Sequence, residues 1–181
     1  LEALRTYRRS KAVPWLNAYK WVILSFVAVG FWNTVGAGLL GFAINPPASL
    51  YYVQGLNMTA AHGHAALFGV YGMLGIGLML FCLRGLRPQM RWPEGLLRGA
   101  FWAMNIGLAL MALLTLLPMG VLQLNAALEH GYWFARSAEF MNRPIIDMLV
   151  WMRVPGDTIF SVGAVLLGWF VLRQWILPAR D

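Results

Sequence analysis

Two histidines with one residue between them, His62 and His64, are the side chains in this sequence best suited to chemistry. A neutral imidazole is a good ligand for a transition metal, and its second ring nitrogen can be held by a neighbouring acceptor. Each residue of an α-helix turns the side chain by about 100°, so positions i and i+2 point to nearly opposite faces. One ion held on one face of a helix would draw on i and i+3 or i+4 instead. The pair therefore suits two separate centres, one on each side of the helix. Heme meets that requirement, because it takes an axial imidazole and needs an apolar slot. Gly63 between the histidines and Ala65 and Ala66 after them keep the helix thin at this point. The competing role is an interhelical hydrogen bond or the lining of a wet cavity.

Other reactive side chains are few. His130 stands beside Glu129 and near Arg136, and reads either as a neighbour of a heme or quinone or as an exposed interface residue. Arg136, Arg143 and Arg153 fall on the same side of the pattern as the histidine pair. A guanidinium there can fork onto a carboxylate such as a heme propionate, and interfacial snorkelling competes with that role. Asp157 is a helix cap or a proton-accepting partner for a quinol hydroxyl, and composition favours the cap. Cys82 stands alone, so no disulfide within the chain is available to it.

The elements that position these residues are membrane spans. Of 181 residues, 60% are hydrophobic and 12% charged, with a mean hydropathy of +0.62. A soluble domain carries about 25% charged residues. Crossing a hydrocarbon layer takes roughly 20 apolar residues. Four stretches qualify, at about 21–44, 60–83, 99–122 and 158–177. The fold class is thus an all-α integral membrane protein of four transmembrane helices, following a basic lead-in over residues 1–20 that Pro14 breaks. Asn45, Pro46 and Pro47 end the first span, since proline removes a donor and restricts the residue before it. Thr59 is the candidate N-cap of the second. That span also carries Gly69, Gly72, Gly75 and Gly77, surfaces on which another helix or a flat macrocycle can lie close to the backbone. The third span is expected to end near Pro118.

The net charge of +7 is distributed by side. Lys and Arg fall eleven to three on alternate sides of the spans, with Arg5, Arg8, Arg9, Lys11, Lys20, Arg84, Arg87, Arg91, Arg98, Arg173 and Arg180 together. This is the positive-inside pattern, which places both termini in the cytoplasm. A nucleic-acid surface would cluster its cations on a polar element instead, so no nucleic-acid partner is expected. Trp15, Trp21, Tyr51, Tyr52, Trp92, Trp102, Tyr132, Trp133, Trp151 and Trp175 lie at or near span ends, where aromatic belts form.

The run His62-Gly63-His64-Ala65-Ala66-Leu67-Phe68-Gly69-Val70-Tyr71-Gly72-Met73, with Trp151-Met152-Arg153-Val154-Pro155-Gly156-Asp157, closely resembles the catalytic subunit of respiratory nitric oxide reductases. These belong to the heme–copper oxidase superfamily. The resemblance covers essentially the whole chain and looks most like the single-subunit, quinol-dependent branch. It implies the last four transmembrane helices of a longer polypeptide in a bacterial inner membrane, in contact with the remainder of that polypeptide and with lipid. It also implies His62 as the proximal ligand of a high-spin heme b3 and His64 as an axial ligand of a low-spin heme b. Asp157 then matches an acidic residue close to the proposed quinol site. The family's non-heme iron would be held by histidines and a glutamate outside this chain. The implied reaction of the complete protein, in respiration and denitrification, takes two nitric oxide molecules, two protons and two electrons from quinol to nitrous oxide and water. An oxygen-reducing terminal oxidase of the same superfamily is the nearest alternative, and a non-catalytic b-type cytochrome the next. A scaffold or transport fragment without heme is the last.

Overall fold

The computed structural model describes residues 2–10 and 13–176. Residue 177, the expected end of the fourth span, and Lys11 and Arg180 lie outside the described residues. Every regular element among those described is helical. A lead-in helix, Glu2–Ser10, and a short turn of helix, Pro14–Asn17, precede four helices long and apolar enough to cross a membrane: Lys20–Ile44, Asn57–Leu86, Glu94–His130 and Pro144–Ile176.

Consecutive spans run antiparallel. The chain therefore has two ends: a basic end, where the first and third spans begin, and a histidine end, where the second and fourth begin. The first span packs along the second, and the third along the fourth. At the histidine end the second and third spans close on each other, where an added Cβ at Gly120 would lie 2.6 Å from the Met58 backbone nitrogen. The middle of the core is a cluster of Ala28, Trp32, Ala65, Met73, Ala100, Met104, Leu108 and Met111, with separate clusters around Phe140 at the histidine end and around Phe170 at the basic end. One polar bridge crosses the middle cluster: the Trp32 indole N–H donates to Asn105 Oδ1 at 2.8 Å, linking the first span to the third. The outward faces stay apolar and uncovered, with Phe42 80% and Val165 70% exposed, as lipid-facing or bundle-facing surfaces must be.

Several expected boundaries shift. The third helix runs through Pro118 to His130 and stops at Gly131, whose φ of 93° reverses the chain. Pro118 does not break it because Met111–Leu116, just upstream, is π-helical, and the wider turns already forgo the regular i→i−4 bonds that a proline would remove. The second helix starts at Asn57, so Thr59 is not its cap; its hydroxyl donates to the Val53 carbonyl at 2.9 Å. Asp157 caps nothing either. It lies inside a helix that runs over Arg153–Ile176, and Thr158 lies within the same helix. Trp21 and Trp92 leave the expected aromatic belt for the core, 4% and 8% exposed, whereas Trp133, Trp151 and Trp175 stand open. Of the second span's glycines, Gly69 and Gly77 meet the first span at Trp32 and Ser25; an added Cβ on Gly75 would meet nothing within 4 Å.

Candidate functional site

The histidine pair occupies the last turn of Asn57–His64, directly before a π-helical stretch, Ala65–Gly72. A second π-helical stretch, Asn33–Leu39, packs against it from the first span. Close contact there depends on small residues. A Cβ on Gly36 would lie 2.2 Å from the Ala65 Cβ, and one on Gly69 would lie 2.4 Å from the Trp32 ring. Such widened turns free or redirect backbone carbonyls, and they occur often at functional sites.

His62 takes one of those carbonyls. Its Nδ1 lies 3.2 Å from the Gly36 oxygen, and its ring edge sits where a Cβ on Gly41 would approach Cε1 to 3.0 Å. His64 turns the other way. Its Nδ1 lies 2.9 Å from the Ala60 oxygen one turn back, its ring tilts against Phe68, and its Nε2 lies 3.2 Å from Arg153 Nη2. The two rings thus face different neighbours, the first span and the fourth, as an i, i+2 spacing requires.

Tautomers follow from the partners. A carbonyl oxygen only accepts, so Nδ1 carries the proton in both rings and Nε2 keeps its lone pair. The Arg153 guanidinium, a donor without lone pairs, agrees with that assignment at His64. An axial ligand needs this form: a neutral imidazole, oriented through Nδ1–H on the backbone and open at Nε2. No partner of His62 Nε2 is found among the described residues, so that residue fits a heme iron directly. His64 fits once Arg153 turns away, and Arg153 already donates through Nε to Asp157 at 2.9 Å. Phe31, Val35, Leu39 and Phe42 on the first span and Leu67 and Tyr71 on the second expose the apolar surface that a macrocycle would cover.

The remaining candidates separate. Arg153 and Asp157 join the pair. Arg136 instead donates to the Tyr132 hydroxyl at 3.1 Å, and Arg143 lies over the Phe134 and Phe140 rings. His130 ends the third helix with its Nε2 3.8 Å from Glu129 and its ring on Phe134, exposed and apart from the pair. Among the described residues no cluster of three or more His, Cys, Asp or Glu side chains could hold a metal ion.

One organiser of the site lies outside this set of candidates. Gln123, 4% exposed on the third span, accepts from both the backbone N–H and the side-chain amide of Asn57 at 2.9 Å, and donates to the Ala135 carbonyl at 3.3 Å. It thereby caps the helix that carries the histidines. A polar residue inside an apolar helix is the signal for it.

Two comparisons bear on this geometry. A family profile described as cytochrome c and quinol oxidase polypeptide I matches residues 12–159. The chain belongs to that family. Its members are membrane heme–copper oxidases, and they bind hemes. A nitric oxide reductase subunit from Stutzerimonas stutzeri is 28% identical over 169 residues, covering 87% of this chain and 33% of that protein. The chain spans about a third of the length of this relative.

Proposed function

We propose that the chain is the C-terminal part of a quinol-dependent nitric oxide reductase, in which His62 ligates the active-site heme b3 and His64 the electron-delivering heme b. The observation that carries this reading is the pair of anchored imidazoles: two rings on opposite neighbours, each protonated at Nδ1 and each with an Nε2 lone pair. The relative bearing the name nitric oxide reductase supports the substrate, and the basic ends of the spans support termini in the cytoplasm of a bacterial inner membrane. The non-heme iron would be liganded outside this chain.

The residues' own contributions follow from their contacts. The Gly36 and Ala60 carbonyls hold each ring in one tautomer and one orientation, so little reorganisation accompanies ligation. The apolar walls exclude water from the site and keep its dielectric low. Bound heme supplies one-electron chemistry, at a potential set by its axial ligand, burial and hydrogen bonds. Arg153 holds the Asp157 carboxylate through Nε; in this reading that carboxylate accepts the proton of a quinol hydroxyl. A second reading, oxygen as the substrate, is favoured by the oxidase description of the family, and headspace analysis for nitrous oxide against oxygen consumption separates the two.

The test is a reduced-minus-oxidised optical spectrum of the full-length protein and of its His62→Ala and His64→Ala variants. Distinct b-type components should disappear, a high-spin one in the first variant and a low-spin one in the second. A colourless parent, or the same component lost from both, overturns the assignment. Asp157→Asn should leave both heme components in place and lower quinol-driven turnover about a hundredfold or more, within the range of a lost general base.

A further inference from the structure

The basic end of the bundle carries cations that form no ion pair among the described residues. These are Arg84, Arg87, Arg91, Arg98 and Arg173. The acid at hand, Glu94, is already held by Lys20 at 3.6 Å and by the Trp21 indole N–H at 2.9 Å.

Arg84 is the centre of this region. It is 9% exposed, donates from Nε to the Ala18 carbonyl at 3.1 Å and from Nη1 to the Met90 carbonyl at 2.8 Å, and stacks on the Trp92 ring at 3.7 Å. Two carbonyls and an aromatic face fix the guanidinium in place, and no described carboxylate lies in salt-bridge contact with it. Its Nη2 has no acceptor among the described residues. The Trp92 N–H beside it is buried without a partner as well. One turn on, Arg87 is fixed by the Gln174 carbonyl at 2.7 Å and lies over Trp175. Arg91 is exposed on the loop that joins the second span to the third. Long cations normally lose side-chain entropy when they bind; here two of the three are already immobilised.

We propose that Arg84, Arg87 and Arg91 bind the phosphate of an anionic phospholipid. The chemistry asked for is an oxyanion, because the open donors are guanidinium N–H groups that no carboxylate contacts among the described residues. The source is a lipid, because the same end exposes Phe81 and Leu86 on the second span and Leu172 and Trp175 on the fourth, at 53%, 82%, 53% and 73%. Acyl chains would cover that surface, and a soluble anion would leave it bare. Basic recesses between helices on the positive side of a membrane protein commonly take such headgroups.

The experiment is native mass spectrometry of the full-length protein, delipidated in mild detergent and supplied with phosphatidylglycerol or phosphatidylcholine, with the thermal midpoint followed in parallel. Phosphatidylglycerol should be retained preferentially and should raise the midpoint. Retention should fall about fivefold for each guanidinium removed. Arg84→Gln is the first variant; the double variant Arg87→Gln, Arg91→Gln keeps the test open if loss of the Arg84 clamp prevents folding. Equal retention of phosphatidylcholine, or retention unchanged in the double variant, overturns the proposal. So does a midpoint shift reproduced by inorganic phosphate alone, which would assign the arginines to a soluble anion.

Discussion

At the histidine end polar side chains bond backbone groups and leave imidazole Nε2 lone pairs, that of His62 open and that of His64 facing Arg153 Nη2 at 3.2 Å. At the basic end they do the same and leave guanidinium N–H groups. Both ends use the same device, a side chain bonded to the backbone across a long stretch of sequence, and differ in the sign of what is left over. Gln123 and Asn57 organise the first end; Arg84 and Arg87 organise the second. The packing beneath differs in step. An added Cβ at Gly36 or Gly120 would strike a neighbour within 3 Å, whereas one at Gly85, Gly95 or Gly168, towards the basic end, would meet nothing within 4 Å. Between the first and second spans and between the second and third, the closest approaches lie towards the end with the ligand pair; between the third and fourth they run on to mid-span, where a Cβ on Gly163 would lie 2.7 Å from Met104. In a membrane, where polar groups find few alternatives, such bonds locate an end more firmly than apolar contact can.

The largest effect expected from breaking this contrast is at Gln123. Gln123→Leu keeps the size but strips acceptors from the Asn57 N–H and amide and a donor from the Ala135 carbonyl. Two or three buried polar groups left unsatisfied should cost about 3 kcal/mol, read as unfolding in mixed detergent micelles. Both heme components should also weaken, because the helix start that carries His62 and His64 loses its cap. If stability falls and the spectrum holds, the cap serves folding alone.

Gly120→Ala follows in size. The new Cβ would press on the Met58 backbone nitrogen at 2.6 Å and its Cα at 3.0 Å, and backbone cannot rotate aside. Overpacking of this kind costs about 1–3 kcal/mol. The histidine helix should move away from the third span, shifting the positions of the heme bands rather than removing them. Unshifted bands with normal stability would mean the two helices approach less closely than the structure places them.

Legibility in the sequence depends on whether the cause of a feature is local. Span number and the opposed directions of His62 and His64 depend on apolar length and helix pitch, and both were readable. The extent of the third span was not. Pro118 and Gln123 read as signs of a loop, and only the π-helical turn before one and the Asn57 contact of the other explain their place in a helix. The cap assignments of Thr59 and Asp157 failed for a related reason. Helix starts here are set by Gln123 from another span and by Pro144, not by the nearest hydroxyl or carboxylate. Of three outer-side arginines with equal claims, contact with the pair singled out Arg153, across 89 residues of sequence. No periodicity carries that information.

The smallest effect is expected at the loose end, and its sign is opposite. Gly168 lies within the helix Arg153–Ile176, exposed, with nothing within 4 Å of an added Cβ. The fourth span is also the least buried of the four, at 17% against 44% for the third. Gly168→Ala therefore adds a methyl group without a clash and removes backbone freedom from the unfolded chain. A gain of about 0.5–1 kcal/mol should follow, with heme bands unchanged. A loss instead would mean that this face is covered in the full-length protein by a helix packed as closely as the first and second spans are at Gly36. The contrast between a tight end and a loose one would then hold within these four spans and fail for the complete bundle.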